Sequence, residues 1–151
     1  FVITYDDRLV GQLTVSGIEW GSLASGSVGY WVDRDYAGRG ITPTAVALAV
    51  DHCFVTVGLP RIEINIRPEN GPSLRVVEKL GFRYEGRRER YLHIAGAWRD
   101  HLTFALTTEE VPGGLFARWK ATQASLSGHG GSPSGPPSGP PSGPSEGPRR
   151  N

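Results

Sequence analysis

The chain has 151 residues, a formal net charge of +1 and a single cysteine. This length predicts one domain, the near-neutral charge gives no reason to expect nucleic acid or an anionic membrane as a partner, and one cysteine excludes an internal disulfide. No apolar run approaches the roughly 20 residues that a membrane span needs and no signal peptide is evident, so we expect a cytoplasmic protein, a monomer or weak dimer.

The first part of the chain predicts three strands. Residues 1–5 are rich in β-branched and aromatic side chains, and the alternation over 9–15 completes a hairpin with them. A loop rich in glycine and serine is expected over 17–26. The run of β-branched and aromatic residues over 27–32 predicts the third strand.

A short glycine-containing stretch, "AGRGITPT", follows the third strand. Apolar residues at spacings of three and four predict a helix from about 44 to 57, with Thr42 as N-cap, Pro43 at the first helical position and Gly58 at the end. Such a loop leaves backbone N–H groups free for an anion such as a phosphate. A tight connecting turn with a good cap accounts for the same residues, so this stretch alone leaves both interpretations open.

The loop matches neither of two common nucleotide-binding motifs. The chain contains no G-x-x-x-x-G-K-[ST] sequence. The dinucleotide fingerprint begins with Gly38 and Gly40, but Pro43 stands where its third glycine belongs.

The rest of the chain predicts alternating elements and a tail. We expect a strand at 61–66, a helix at 73–80, strands at 82–91 and 98–107, and a terminal helix at 115–124. The order β-β-β-α-β-α-β-β corresponds to an α/β (α+β) mixed sheet with two crossover helices. Residues 127–151 are almost entirely Ser, Gly and Pro and predict a disordered tail, after a domain at 1–112 and a short helix at 113–126.

A second polar cluster follows the fourth strand. Asn70 and Ser73 lie at the predicted start of the second helix, where either could simply cap it. Read together with the glycine loop, however, they follow the carboxyl ends of two strands, which is where open α/β sheets place ligands.

Three motifs together resemble a known family. "AGRGITPTA", "RPENGPSLRVVEKLGFRYEG" and "WRDH" look like the GNAT superfamily of acetyl-CoA-dependent N-acetyltransferases, and within it the RimJ/RimL-like branch that acetylates ribosomal-protein N-termini. The resemblance covers about residues 1–112. It implies the GNAT fold, in which a strand and two helices precede the point that corresponds to Phe1. We expect these elements, which build part of the acceptor site in the family, to be missing.

The resemblance also implies acetyl-CoA as co-substrate, without a metal. In the family the loop before the first helix cradles the pyrophosphate, and the preceding strand carries a bulge and diverges from its neighbour, so that the pantetheine arm fits between them. The resemblance therefore assigns cofactor binding to a set of residues in these two regions and at the start of the second helix. They are Tyr30, Trp31, Val32, Ala37, Gly38, Arg39, Gly40, Ile41, Thr42, Asn70 and Ser73. Ala37 and Thr42 depart from the usual Q/R-x-x-G-x-G/A pattern.

The catalytic residues are assigned from the same resemblance. Val77 occupies the position where many members carry a tyrosine as general acid, so Ser73 becomes the candidate acid. Glu89 is the candidate base, with Glu85 also available on the same strand. An exposed charge run accounts equally for Glu89.

The implied function is transfer of an acetyl group to a primary amine, most simply the N-terminal α-amino group of a ribosomal protein. About a tenth of an α-amine is neutral at pH 7, against about 0.04% of a lysine, so an N-terminus needs little help to attack. Two alternatives remain open: acetylation of a small amine such as an aminoglycoside or polyamine, and a non-catalytic fragment that serves as a binding module.

Overall fold

The computed structural model describes residues 1–127. Its six strands and three α-helices confirm the predicted order and the mixed α/β class. They are β1 (Val2–Tyr5), β2 (Arg8–Glu19), β3 (Ser25–Val32), α1 (Ile41–His52), β4 (Arg61–Ile66), α2 (Gly71–Leu80), β5 (Arg83–Ile94), β6 (Ala97–Thr107) and α3 (Leu115–Ser127). Ser127 ends α3, and the rest of the predicted tail lies outside the described residues.

The strands form one six-stranded sheet in the order β1-β2-β3-β4-β6-β5. Only β3 and β4 are parallel, and all other neighbours are antiparallel. This single parallel pair results from the crossover through α1, since parallel neighbours need a long connection.

Two strands, β2 and β5, run past their predicted ends because irregular residues bend them without ending them. β2 continues through Gly17, which has a φ of 57°, and its pairing with β3 shifts between Ser16 and Glu19. β5 continues past Arg90, which has a φ of 49°, where its pairing with β6 also shifts. The predicted loop over 17–26 is therefore confined to the residues between β2 and β3.

The start of α1 differs from the prediction. Gly40 is the N-cap, with a φ of 77°, and its carbonyl oxygen accepts the first helical bond from the Thr44 N–H at 3.2 Å. Thr42 is therefore already helical, and Pro43 is the third residue of the helix. Pro43 remains in the first turn, where a missing N–H leaves no helical bond unmade. A π-helical segment, Cys53–Val57, continues α1 directly, and Gly58 ends it in a left-handed conformation, as predicted.

The hydrophobic core lies between one face of the sheet and the three helices. Strict alternation in β4 turns Ile62, Ile64 and Ile66 toward this core, where Val46 of α1 and Val77 of α2 are also buried. None of the helices within residues 1–127 is long and apolar enough to cross a membrane.

The last helix belongs to the same core. Leu115 and Trp119 of α3 are buried, and the Trp119 indole N–H donates to the Thr44 hydroxyl at 3.0 Å. The Asp51 carboxylate of α1 accepts hydrogen bonds from the backbone N–H groups of Leu115 and Phe116, at 2.7 and 3.0 Å. A side chain 64 residues earlier in the sequence therefore caps α3.

Candidate active site

The parallel pair β3 and β4 is paired over only a few residues. Ser25–Ser27 of β3 pair with Arg61–Glu63 of β4. Beyond that point β3 pairs only with β2, and β4 only with β6. The two strands therefore diverge, and the β4-facing backbone edge of β3 is left without a strand partner over 28–32.

Polar side chains mark the inner end of this split. The Asn65 amide nitrogen donates to the Ser27 hydroxyl at 3.4 Å, and its oxygen accepts from the Thr103 hydroxyl at 2.7 Å. Asn65 thus connects β3, β4 and β6 at the point where the sheet divides.

The predicted bulge in β3 is wrong, because the extra residue lies in β2 beside Gly17.

A cleft of about 350 Å³ extends from the split to the start of α1 and to α2. Nine of the eleven predicted cofactor-binding residues line it together. They are Tyr30, Trp31, Val32, Ala37, Gly38, Gly40, Thr42, Asn70 and Ser73.

The glycine loop presents backbone donors to this cleft. Gly38 and Gly40 have φ values of 78° and 77°, a left-handed conformation that favours glycine. Among residues 1–127 no side chain caps the start of α1. The first-turn N–H groups of Ile41 and Thr42 have no helical acceptor and stand at the positive end of the helix, which suits a phosphate.

The other two predicted cofactor residues face a different cavity. The side chains of Arg39 and Ile41 line a space of about 570 Å³ between β1 and α1, and the Arg39 guanidinium lies 5.1 Å from the centre of the Tyr36 ring. That cavity is larger, but it contains neither the divided strands nor α2. We therefore take the smaller cleft as the candidate site, with Ile41 contributing only its backbone.

The start of α2 forms the opposite wall. The Asn70 side-chain oxygen accepts from the Ser73 N–H at 3.2 Å, so Asn70 is the N-cap of α2 and Ser73 is not. The Tyr30 hydroxyl donates to the Ser73 carbonyl oxygen at 3.5 Å, across the cleft from β3. Burial raises the pKa of Tyr30 to about 12.

Known proteins share this sequence and architecture. The family profile described as "Acetyltransferase (GNAT) domain" matches residues 1–83. The chain is 41% identical over 101 residues to "Probable N-acetyltransferase YjcK" of Bacillus subtilis (strain 168) and 33% identical over 109 residues to "[Ribosomal protein uS5]-alanine N-acetyltransferase" of Escherichia coli (strain K12). These alignments cover 67% and 72% of the chain.

The chain belongs to the GNAT family of acetyltransferases. A solved structure, "Mycobacterium smegmatis RimJ in complex with CoA-disulfide", is 48% identical, with a TM-score of 0.77 over 81% of the chain. The RimJ/RimL-like resemblance is thereby confirmed. The chain spans 56% of each of the two curated relatives and 58% of the RimJ chain.

GNAT acetyltransferases use acetyl-CoA, and the donor set of this cleft fits that ligand. The free edge of β3 offers backbone groups to the amide-containing pantetheine arm, as an added strand would use them. The loop around Gly38 and Gly40 offers N–H groups to the pyrophosphate. Residues 1–127 contain no group of three or more His, Cys, Asp or Glu side chains that could hold a metal ion.

The candidate acid, Ser73, and the candidate base, Glu89, lie in different parts of this GNAT fold. Val77 is buried in the core and does not line the cleft, whereas Ser73 does. Glu89 is exposed on β5, the edge strand that β4 and β6 separate from the cleft. At about 4.8 Å per strand, it is too far to accept a proton from an amine in the cleft. Glu89 as base stays a prediction that this geometry does not support.

Glu85 is a poor alternative base. Its carboxylate accepts a hydrogen bond from Arg61 at 2.5 Å and also pairs with Arg83. The hydrogen bond from Arg61 is the main reason that the pKa of Glu85 falls to about 2. A carboxylate with so low a pKa has little tendency to take a proton near neutral pH.

Two charged residues of the cleft were not predicted from the sequence. Arg75 and Lys79 of α2 line the same cleft as the glycine loop. Their spacing could have indicated this. Residues four apart share a helix face, and the predicted helix starts at the polar cluster.

Proposed function

We propose that this protein transfers the acetyl group of acetyl-CoA to the N-terminal α-amino group of a protein. The observation that carries the proposal is the divided pair β3 and β4, with the glycine loop at one end and Asn70 and Ser73 on the facing wall. The larger cavity beside β1 also reaches the start of α1, but its described lining contains neither the diverging strands β3 and β4 nor any residue of α2.

Each wall of the cleft has a role in this proposal. The first-turn N–H groups of α1 hold the pyrophosphate, and the edge of β3 around Tyr30 aligns the pantetheine arm along the cleft. Asn70 has its side-chain oxygen committed to the Ser73 N–H, so its amide nitrogen is the group that meets the arm. The cleft then fixes the thioester beside Ser73.

The reaction is a direct transfer. The amine nitrogen attacks the thioester carbonyl carbon and forms the amide bond, the C–S bond breaks, and the sulfur leaves as a thiolate while the nitrogen loses a proton to solvent water. Ser73 donates a proton to the departing sulfur and recovers one from solvent. The α-amine enters in its neutral form, which about a tenth of the molecules have at pH 7, so the proposal requires no dedicated base.

The charges near the cleft favour an N-terminal amine over a polyamine. A polyamine site needs unpaired carboxylates, but the described lining of the cleft contains no aspartate or glutamate. Glu63, in the paired part of β4, is engaged with Arg61 and Arg88. Glu69, between β4 and α2, is engaged with Arg67. The E. coli relative, whose name specifies a ribosomal-protein alanine as its substrate, supports the same class of acceptor.

The test offers the protein and acetyl-CoA a peptide that carries both a free N-terminal alanine and an internal lysine. Tandem mass spectrometry then locates the acetyl group. We expect acetylation at the α-amine, and none on the same peptide with a blocked N-terminus. Acetylation confined to lysine, or to spermidine or an aminoglycoside offered in parallel, would contradict the proposed acceptor. Binding of acetyl-CoA with no acceptor modified would support the binding-module alternative.

A further inference from the structure

The α2 wall of the cleft carries two cations, Arg75 and Lys79. Both are exposed, both line the cleft, and they stand one helical turn apart. The Arg75 guanidinium folds back over the first turn of α2, since its Nη1 lies 3.5 Å from the position that a Cβ on Gly71 would take. Neither residue belongs to the glycine loop that the family pattern points to.

Neither cation is neutralised by a carboxylate. Within residues 1–127, Arg75 and Lys79 form no ion pair, although five other arginines do: Arg61, Arg67, Arg83, Arg87 and Arg88. The described lining of the cleft also contains no aspartate or glutamate. A concave surface with two uncompensated positive charges attracts an anion of matching charge.

The position of the two cations indicates which anion they meet. At 1.5 Å per residue, the backbones of Arg75 and Lys79 lie about 7.5 and 13.5 Å along α2 from Asn70, which marks the thioester end. Both cations share the lining of the cleft with the glycine loop, which meets the nucleotide end of an extended ligand. The pyrophosphate has neutral N–H donors from the glycine loop, whereas the 3′-phosphate of coenzyme A, a monoester with close to two charges at neutral pH, has none from that loop.

We propose that Arg75 and Lys79 bind the 3′-phosphate of coenzyme A, and that they make the protein select coenzyme A over its dephospho form. This inference rests on the proposed function. The planar guanidinium of Arg75 presents a paired set of donors that fits two phosphate oxygens, and the Lys79 ammonium adds a mobile point charge. Because the two molecules differ only in the 3′-phosphate, recognition of that group distinguishes coenzyme A from dephospho-coenzyme A.

The experiment compares two ligands on matched variants of the full chain. Calorimetry measures the affinity of coenzyme A and of dephospho-coenzyme A for the wild type, for Arg75→Gln, Lys79→Gln and the double variant. Lys120→Gln is the control, because Lys120 is an exposed lysine of α3 that packs against Phe116 outside the cleft. Thermal melts without ligand check that each variant is folded.

We expect the wild type to bind coenzyme A about tenfold to a hundredfold more tightly than dephospho-coenzyme A. The double variant should lose that preference while it binds dephospho-coenzyme A as the wild type does, and Lys120→Gln should change neither affinity. Equal losses for both ligands would assign the cations to the pyrophosphate and overturn the inference, as would equal affinities in the wild type. A wild type that binds neither ligand would overturn the proposed function itself.

Discussion

The Tyr30 hydroxyl of β3 donates a long hydrogen bond, 3.5 Å, to the carbonyl oxygen of Ser73 in α2. This contact joins the two walls of the cleft beside the residue that we propose as general acid. The neighbouring polar residue has a separate role, because Asn70 rather than Ser73 provides the helix cap.

Ser73→Ala should lower turnover by about 10²-fold, the lower range for a lost general acid, while acetyl-CoA affinity stays close to that of the wild type. The free energy of unfolding should change little, because the cap is intact. Asn70→Ala is the comparison, and it should cost about 1 kcal/mol of stability. Single-turnover rates and urea unfolding measure both effects. An unchanged rate in Ser73→Ala would remove Ser73 from the chemistry.

Tyr30 should make the protein less stable at high pH. Because burial raises its pKa to about 12 in the folded protein, against about 10 unfolded, the unfolded state loses the proton first. The stabilising contribution is therefore complete below pH 10 and is lost as the pH rises toward 12. Tyr30→Phe should lose less stability than the wild type over this interval. A spectrophotometric titration that finds the Tyr30 phenolate forming near pH 10 would contradict the burial argument.

Gly40→Asp should weaken acetyl-CoA binding by well over tenfold, because it places a carboxylate at the helix start that meets the pyrophosphate. Gly40→Asn is the matched control, since it has nearly the same shape and also tolerates the positive φ, but carries no charge. Calorimetry should therefore show a much smaller loss for the asparagine variant. Equal affinities in the two variants would separate Gly40 from the phosphate site.

The presence of each strand and helix was easier to predict from the sequence than the residue at which it starts or its neighbours in the sheet. The alternation in β4 and the periodicity of α1 each depend on burial of one face, so both were predictable from local pattern. The start of α1 at Gly40 was not, because two left-handed glycines begin the helix earlier than the Thr42-Pro43 signal suggests. The separation of Glu89 from the cleft depends on the strand order, which no local pattern records.

Asp51 is a second residue whose role only the tertiary structure shows. In sequence it is an ordinary acidic residue of α1, but its carboxylate caps α3 across the core. Asp51→Ala should lower the free energy of unfolding by about 1–2 kcal/mol, and Asp51→Asn, which keeps one acceptor oxygen, by less. Urea unfolding distinguishes them, and an alanine variant as stable as the wild type would show that this cap contributes nothing.

Amide hydrogen exchange with and without acetyl-CoA tests whether the divided strands β3 and β4 and the loop beside them hold this ligand. We expect slower exchange on addition of acetyl-CoA over residues 29–42 and 70–79, which form the two walls of the cleft. Slower exchange confined to residues 1–5 and 44–52, which line the larger cavity beside β1, would contradict it.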